Sequence, residues 1–305
     1  MKKHFWFLAI VIAFVCSCQP AQQKADQDRV DVIREKLFTC DESSVIVCAH
    51  RGDWRNFPEN SLAAIDNAIK MGVDIVELDV HMTKDSVLIL MHDPKLDRTT
   101  TGKGLISETN IEDIKKLKLK NGCNIRTIHN VPTLEEALMH AKGKIMINLD
   151  KADRYFDKVF ELLEKTGTTK QIIMKGNKSA EKVREQFGDY LDKVIYMPIV
   201  KLDNKNAAEQ IKLFKDDMHP VAFELLYKLD SNPLPLQVKE DFKGNTLIWY
   251  NTLWDTMAGG HDDDASLRSF EEGYGYLIDT LGARMIQTDR PQFLLDYLRS
   301  RGLHD

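Results

Sequence analysis

Short apolar runs punctuate the chain, and between them apolar residues return at every third or fourth position. The runs are Val45–Ala49, Ile75–Val76 leading into Glu77-Leu78-Asp79-Val80, Val87–Met91, Lys144–Asp150, Gln171–Lys175, Val194–Val200, Val221–Leu226, Leu247–Thr252 and Met285–Thr288. Unbroken runs of this kind predict strands buried on both faces, and the stretches between them predict helices. After Asp79 only Thr83-Lys84-Asp85-Ser86 separates one run from the next. A parallel crossover takes about a dozen residues or more, so these two runs predict a hairpin. Its return strand should bring His92 back level with Glu77. Without that return strand the runs number eight, in about 250 residues, which predicts an α/β fold of the (β/α)8 TIM barrel class. A doubly wound sheet alternates in the same way. However, no glycine-rich phosphate loop follows the first run, and polar residues gather at the ends of many runs.

Residues 29–38 predict a short amphipathic helix ahead of the first strand. Leu62, Ile65, Ala68 and Ile69 share one face of a helix from Ser61 to Met71, with Gly72 to close it. Residues 94–143 exceed an ordinary connection and read as a small insertion with elements of its own. Thr109 with Glu112, and Thr133 with Glu136, have the spacing of capping boxes. The first predicts a helix with Ile111, Ile114 and Leu117 on its face, the second a helix running to Ala141. Residues 41–305 show no internal repeat and no second domain.

Composition changes the picture mainly at the N-terminus. Of the 305 residues 43% are hydrophobic and 29% charged, enough for a core and a soluble surface. The net charge of −5, with no basic stripe, argues against a nucleic-acid partner. Lys2 and Lys3 precede an apolar stretch from Phe5 to Val15 that is too short to span a bilayer, and small residues follow. This is the pattern of a secretory signal peptide. Val15-Cys16-Ser17-Cys18 resembles a bacterial lipobox with Cys18 as the lipidated residue; the alternative is plain cleavage near Ser17. Residues 1–18 are therefore expected to be leader and lipobox, and residues 19–40 a tether and the short helix. The expected product is an exported lipoprotein, anchored to a membrane through Cys18 and facing the periplasm or the cell surface. Cys40, Cys48 and Cys123 cannot all pair and match no zinc spacing. Cys48 reads as a buried strand residue, with a Cys40–Cys48 disulfide as the oxidised alternative.

The candidate chemistry sits at the C-terminal ends of the runs, where parallel α/β folds build their sites. Glu77 and Asp79 are two apart on a strand, so both carboxylates point to one face. Side by side they raise one another's pKa unless a cation lies between them, and oxygen ligands suit one divalent metal ion, Ca²⁺ or Mg²⁺. His50, ending the first run, and His92 flank them as a candidate acid–base pair. Arg51 adds a guanidinium whose geometry suits a phosphate.

Several short motifs surround these residues. Ala49-His50-Arg51-Gly52, Pro58-Glu59-Asn60, Glu77-Leu78-Asp79, Thr83-Lys84-Asp85 and His92-Asp93 come first. Leu96-Asp97-Arg98-Thr99-Thr100, Val131-Pro132-Thr133-Leu134-Glu135-Glu136 and, far downstream, Thr288-Asp289-Arg290-Pro291 follow. In order and spacing this resembles the glycerophosphodiester phosphodiesterase family, densely up to Leu138 and more sparsely beyond. The resemblance implies a metal-dependent hydrolase that cleaves glycerophosphodiesters to glycerol 3-phosphate and an alcohol. It implies His50 and His92 as general acid and base, Glu77 and Asp79 as metal ligands, and Glu59 as a carboxylate near the substrate. The insertion would cap the mouth of the site. On this reading one histidine takes the proton of the glycerol 2-hydroxyl as it attacks phosphorus, and the other protonates the departing alcohol. Water then opens the cyclic phosphate.

The third strand departs from the resembled pattern, Glu-x-Lys. Here Asn148-Leu149-Asp150-Lys151-Ala152 puts Asp150 in place of the metal-binding Glu and Ala152 where the phosphate-facing lysine belongs. Lys151 should point to the opposite face, toward the helices. Lys175, ending the next run, is the candidate replacement; the alternative is a solvated strand-end lysine. Trp249, near Asn251, resembles the family's aromatic strand end, which either packs on the glycerol or alcohol or closes the barrel. His81 shares a face with Glu77 and Asp79 but is expected beyond the site, on the hairpin. Asp262-Asp263-Asp264 lacks the Gly and distal Glu of an EF-hand and reads as a solvated loop. Two rival readings remain: a phosphodiesterase acting on phospholipid or phosphoinositide head groups, and a binding lipoprotein that kept the barrel and lost catalysis with the lysine.

Overall fold

The computed structural model describes residues 28–305; the leader, Cys18 and the tether before Asp28 lie outside them. Its strands are β1 (Ile46–Ala49), β2 (Ile75–Met82), β3 (Leu88–Leu90), β4 (Met146–Asp150), β5 (Ile172–Gly176), β6 (Ile195–Lys201), β7 (Ala222–Leu226), β8 (Leu247–Asn251) and β9 (Met285–Thr288). All but β3 are parallel, and β1 pairs with both β2 and β9, which closes a (β/α)8 barrel. β3 pairs antiparallel with β2, Val80 opposite Leu90, as the short connection requires.

Helices cover the outside of the barrel. Leu62–Met71 follows β1, and Leu134–Ala141 precedes β4. Phe156–Thr166, Ala180–Phe187, Ala207–Met218, Leu234–Phe242, Asp263–Arg268 and Pro291–Ser300 then follow β4 to β9 in turn. Leu62–Met71 starts at Ser61, whose side chain accepts from Ala64 N, and ends at Gly72 with φ 88°. Among the described residues no helix is long and apolar enough to cross a membrane.

The insertion is less helical than its pattern suggested. Thr133 and Glu136 form the expected capping box. Thr109 and Glu112 do not: Asn110 is the N-cap, the helix spans only Ile111–Ile114, and Thr109 Oγ1 binds the Leu105 carbonyl. Isolated bridges such as Lys95–Leu105 and Thr100–Leu119 hold the insertion around its own core of Ile106, Ile114, Leu119 and Val131.

Alternation along the strands splits the main core in two. Val47, Val76, Leu78, Ile147, Leu149 and Met174 face the helices. Ile46, Ile75, Met146, Ile173, Leu247 and Met285 face inward, and Val30, Ile33 and Leu37 of the helix Arg29–Phe38 close that end of the barrel. Further along the same inward faces the residues turn polar: Glu77 and Asp79, Asn148 and Asp150, Lys175, Glu224. An apolar floor beneath polar upper layers places the chemistry at the C-terminal end. Cys40, Cys48 and Cys123 are free thiols, Cys48 buried.

Candidate active site

After β1 the backbone turns sharply, with Arg51 and Gly52 both at positive φ, 53° and 75°. A Cβ on Gly52 would lie 2.8 Å from the Ala64 Cβ, so the turn needs glycine there. The strained Arg51 backbone is held by its own N–H, which donates to Glu77 Oε2 at 3.0 Å. This turn aims His50 and Arg51 into the mouth.

His50 Nδ1 lies 2.7 Å from Asp289 Oδ1, which also accepts the Trp54 indole N–H at 2.6 Å. Arg51 Nε donates to His50 Nε2 at 3.1 Å. A guanidinium can only donate, so Nε2 is the acceptor and the ring carries its proton on Nδ1, donated to Asp289. Burial pushes the Asp289 carboxyl up, but the hydrogen bonds from His50 and Trp54 hold it below the usual carboxylate range.

β3 delivers His92 beside Asp79 rather than level with Glu77, because Met91 N–H binds the Asp79 carbonyl. His92 Nδ1 lies 2.7 Å from Asp93 Oδ1. The Arg98 guanidinium, with His92 beside it, holds the Asp93 carboxyl far below its ordinary range. His81 stays out of the cluster, its Nε2 bound to the His92 carbonyl at 3.1 Å. Glu59 receives Arg51 Nη1 at 3.1 Å and both Arg98 terminal nitrogens, at 2.7 and 2.9 Å. It therefore aligns two guanidinium groups.

Glu77, Asp79 and Asp150 each offer an oxygen within 4.8 Å of the others. Burial, then the neighbouring Asp79, pushes the Glu77 carboxyl up to about 7. Asp79 is held in place by Asn60, which donates to its Oδ2 at 2.9 Å and accepts its N–H at 3.0 Å. Asn148, beside Glu77 on β4, is buried with neither amide atom bonded among the described residues. Three hard oxygen donors, and a Glu77 whose negative charge its neighbours leave incompletely balanced, fit a Ca²⁺ or Mg²⁺ ion.

The mouth above these groups is a cavity of about 630 Å³, lined among others by His50, Arg51, Trp54, Arg98, Lys120 and Trp254. The family model of glycerophosphoryl diester phosphodiesterases matches residues 50–186, which include both histidines and all three carboxylates. That match covers just under half of the chain and likens these residues to the glycerophosphoryl diester phosphodiesterase family. A second model, of a domain of unknown function, matches residues 196–298. The glycerophosphodiester phosphodiesterase of Caldanaerobacter subterraneus subsp. tengcongensis is 50% identical over 72 residues, 24% of this chain and only 30% of that relative. A glycerophosphoryl diester phosphodiesterase from Parabacteroides distasonis superposes with TM-score 0.71 at 22% identity, over 89% of this chain and 92% of that one. A phosphodiesterase from Oleispira antarctica, solved with the product sn-glycerol-3-phosphate, has TM-score 0.62 at 19% identity, over 83% and 96%. At these identities the two structures establish a shared fold.

Sequence expectations for Lys151, Lys175, Trp249 and Asp263 are corrected. Lys151 does not face the helices. Asp150 ends β4, Lys151 takes left-handed φ 61°, and its side chain swings back over the site. Lys151 Nζ contacts Asp79 Oδ1 and lies 3.2 Å from Asp150 Oδ2. Lys175 lies enclosed in the barrel, 3.2 Å from Glu224 Oε2 and 3.6 Å from Asp150 Oδ1, and is not solvated at the strand end. Against the burial of Asp150, Lys175 and then Lys151 hold its carboxyl far below the ordinary range. Trp249 is fully enclosed in the inward core, its Nε1 donating to Asn251 Oδ1 at 2.7 Å, so it closes the barrel and cannot touch a substrate in the mouth. Trp54 and Trp254 line the mouth instead. Asp263 is no solvated loop residue either; it is buried. Asn60, Asp93, Arg98 and Asp289 lay inside motifs visible in the chain, but no spacing rule names their partners. Trp254 had no local signal at all.

Proposed function

We propose that this protein hydrolyses glycerophosphodiesters to glycerol 3-phosphate and an alcohol. One observation carries the reading. Two imidazoles, each bound through Nδ1 to its own aspartate, flank three converging carboxylates at one barrel mouth. An aspartate on Nδ1 fixes both the tautomer and the ring orientation, which is what a proton-transfer pair requires.

Glu77, Asp79 and Asp150 would hold a divalent ion, which when bound supplies Lewis-acid neutralisation of a phosphate oxygen. Arg51 and Lys151 add positive charge where the non-bridging oxygens gain negative charge in the transition state. His50, whose unprotonated Nε2 accepts from Arg51 Nε, takes the proton of the attacking glycerol hydroxyl as the new P–O bond forms, once the substrate phosphate has drawn the Arg51 guanidinium onto itself. His92, the more exposed ring at 37% against 11%, protonates the departing alcohol oxygen as the old P–O bond breaks. Water then attacks the cyclic phosphate with the roles reversed: His92 takes its proton, and His50 returns one to the ring oxygen.

The test is release of glycerol 3-phosphate from glycerophosphocholine and glycerophosphoglycerol by residues 28–305, with added Ca²⁺ or Mg²⁺ and with chelator. Turnover that needs the metal supports the reading. Metal-loaded, folded protein that binds these compounds without cleaving them would make it a binding lipoprotein. From the lipobox we also infer a lipid on Cys18; labelling with a fatty-acid analogue should fail in Cys18→Ala.

A further inference from the structure

Asp263, which opens the helix Asp263–Arg268, is 3% exposed and lies outside the lining of the mouth. Its Oδ1 accepts hydrogen bonds from Thr252 Oγ1 at 2.6 Å, Tyr274 OH at 2.7 Å and Thr288 Oγ1 at 2.7 Å. Its Oδ2 accepts the backbone N–H of Asp289 at 2.8 Å. These donors are neutral, and they come from just beyond β8 (Thr252), from the connection ahead of β9 (Tyr274), from the end of β9 (Thr288) and from the segment before the helix Pro291–Ser300 (Asp289). A buried carboxylate satisfied only by neutral donors is a costly way to join these segments, since packed apolar side chains could do the same. What an apolar side chain could not do is accept the Asp289 N–H.

That N–H belongs to the residue whose carboxylate takes the Nδ1 proton of His50 at 2.7 Å. Asp289 follows the last residue of β9, where the strand ladder no longer fixes the backbone. A shift of about 1 Å there would carry the His50–Asp289 contact out of hydrogen-bond range. The ring would then be free to turn, or to exchange its proton to Nε2.

We infer that Asp263 is a positioning residue. It holds the Asp289 backbone so that Asp289 keeps His50 in the orientation and tautomer that leave Nε2 unprotonated, as an acceptor. The kinetic part of this inference rests on the proposed phosphodiester hydrolysis; the ring orientation does not.

Asp263→Asn replaces one acceptor oxygen with an NH2 group, so either the Asp289 N–H or the hydroxyl cluster loses its partner. In the metal-loaded protein, kcat on glycerophosphocholine should fall about 10²-fold while KM changes little, as expected for a misplaced proton-transfer group. The His50 Nδ1–H proton resonance, downfield through its hydrogen bond to Asp289, should shift or vanish. In an Asp289→Ala background Asp263→Asn should cost no further kcat, because its effect runs through Asp289. Tyr274→Phe keeps the ring and removes one donor; it should show the same signature at a few-fold size and serves if Asp263→Asn fails to fold. A folded variant with wild-type kcat and an unmoved His50 resonance overturns the inference, as do losses that multiply in the double variant. Wild-type protein that cleaves no glycerophosphodiester defeats the proposed function alone, and the resonance then decides the role of Asp263.

Discussion

His50 and His92 share an Nδ1–aspartate contact but differ in exposure and neighbours, and the proposed mechanism uses the difference. His50→Ala and His92→Ala should each lower kcat by about 10²–10⁴ with the melting temperature little changed. A substrate with a nitrophenol leaving group needs no proton on departure, so it should restore much of the rate to His92→Ala and none to His50→Ala. Equal rescue of both variants would reverse or void the assignment. Asp289 allows a prediction about stability. Its folded pKa lies below the unfolded value, so its contribution is complete above about pH 4 and is lost as pH falls through the folded value. Asp289→Asn removes that contribution, so its stability should fall less steeply in acid than the wild type's. Urea unfolding across the acid range checks this, and parallel curves would show that the His50–Asp289 contact adds nothing to the fold.

At the scale of single elements, strand ends carry the chemistry because the regular ladder stops there. Arg51, Asn60 and Lys151 all adopt positive φ next to the site, and in each the departure from regular backbone turns a side chain toward Glu77 or Asp79 or places a backbone N–H on them. Period-two reasoning put Lys151 on the helix side because it assumed that β4 continued past Asp150. The same limit separates the two lysines by experiment. Lys151→Met should lower kcat on glycerophosphocholine tenfold or more, roughly the loss of one charged contact in the transition state, with stability retained. Lys175→Met should instead destabilise the barrel by about 3–5 kcal/mol, because Glu224 and Asp150 lose a buried counter-charge. Kinetic damage from Lys175→Met in a protein of normal stability would place the phosphate contact there after all. The predicted capping box at Thr133 formed while the one at Thr109 did not. A four-residue helix in a bridge-held insertion buries too little to enforce its cap.

For the whole molecule, the apolar floor and polar upper layers make metal binding and folding a linked pair. A divalent ion that binds only the folded barrel should stabilise it, by about 2.7 kcal/mol at a hundredfold excess over Kd. Thermal melts with Ca²⁺ or Mg²⁺ should show the shift, and Glu77→Gln should abolish it; an unchanged melt with either ion would remove the carboxylate cluster as a metal site. The barrel itself was legible in the chain, as was the convergence of Glu77, Asp79 and Asp150 with His50, His92 and Arg51 beside them. Hydrophobic periodicity and strand-end polarity are local signals, and a closed parallel barrel satisfies them all at once. The partners were not legible. His50 meets Asp289 from 239 positions away, Lys151 meets Asp79 from 72, and Lys175 meets Glu224 from 49. Those contacts depend on barrel closure and on backbone turns past the last ladder hydrogen bond, which no local pattern encodes. Trp249 and Trp254 differ by five positions, yet one is sealed in the core and the other lines the mouth. The strand holding Trp249 sets its inward face by alternation, whereas Trp254 lies beyond β8, where only the assembled rim decides what it faces.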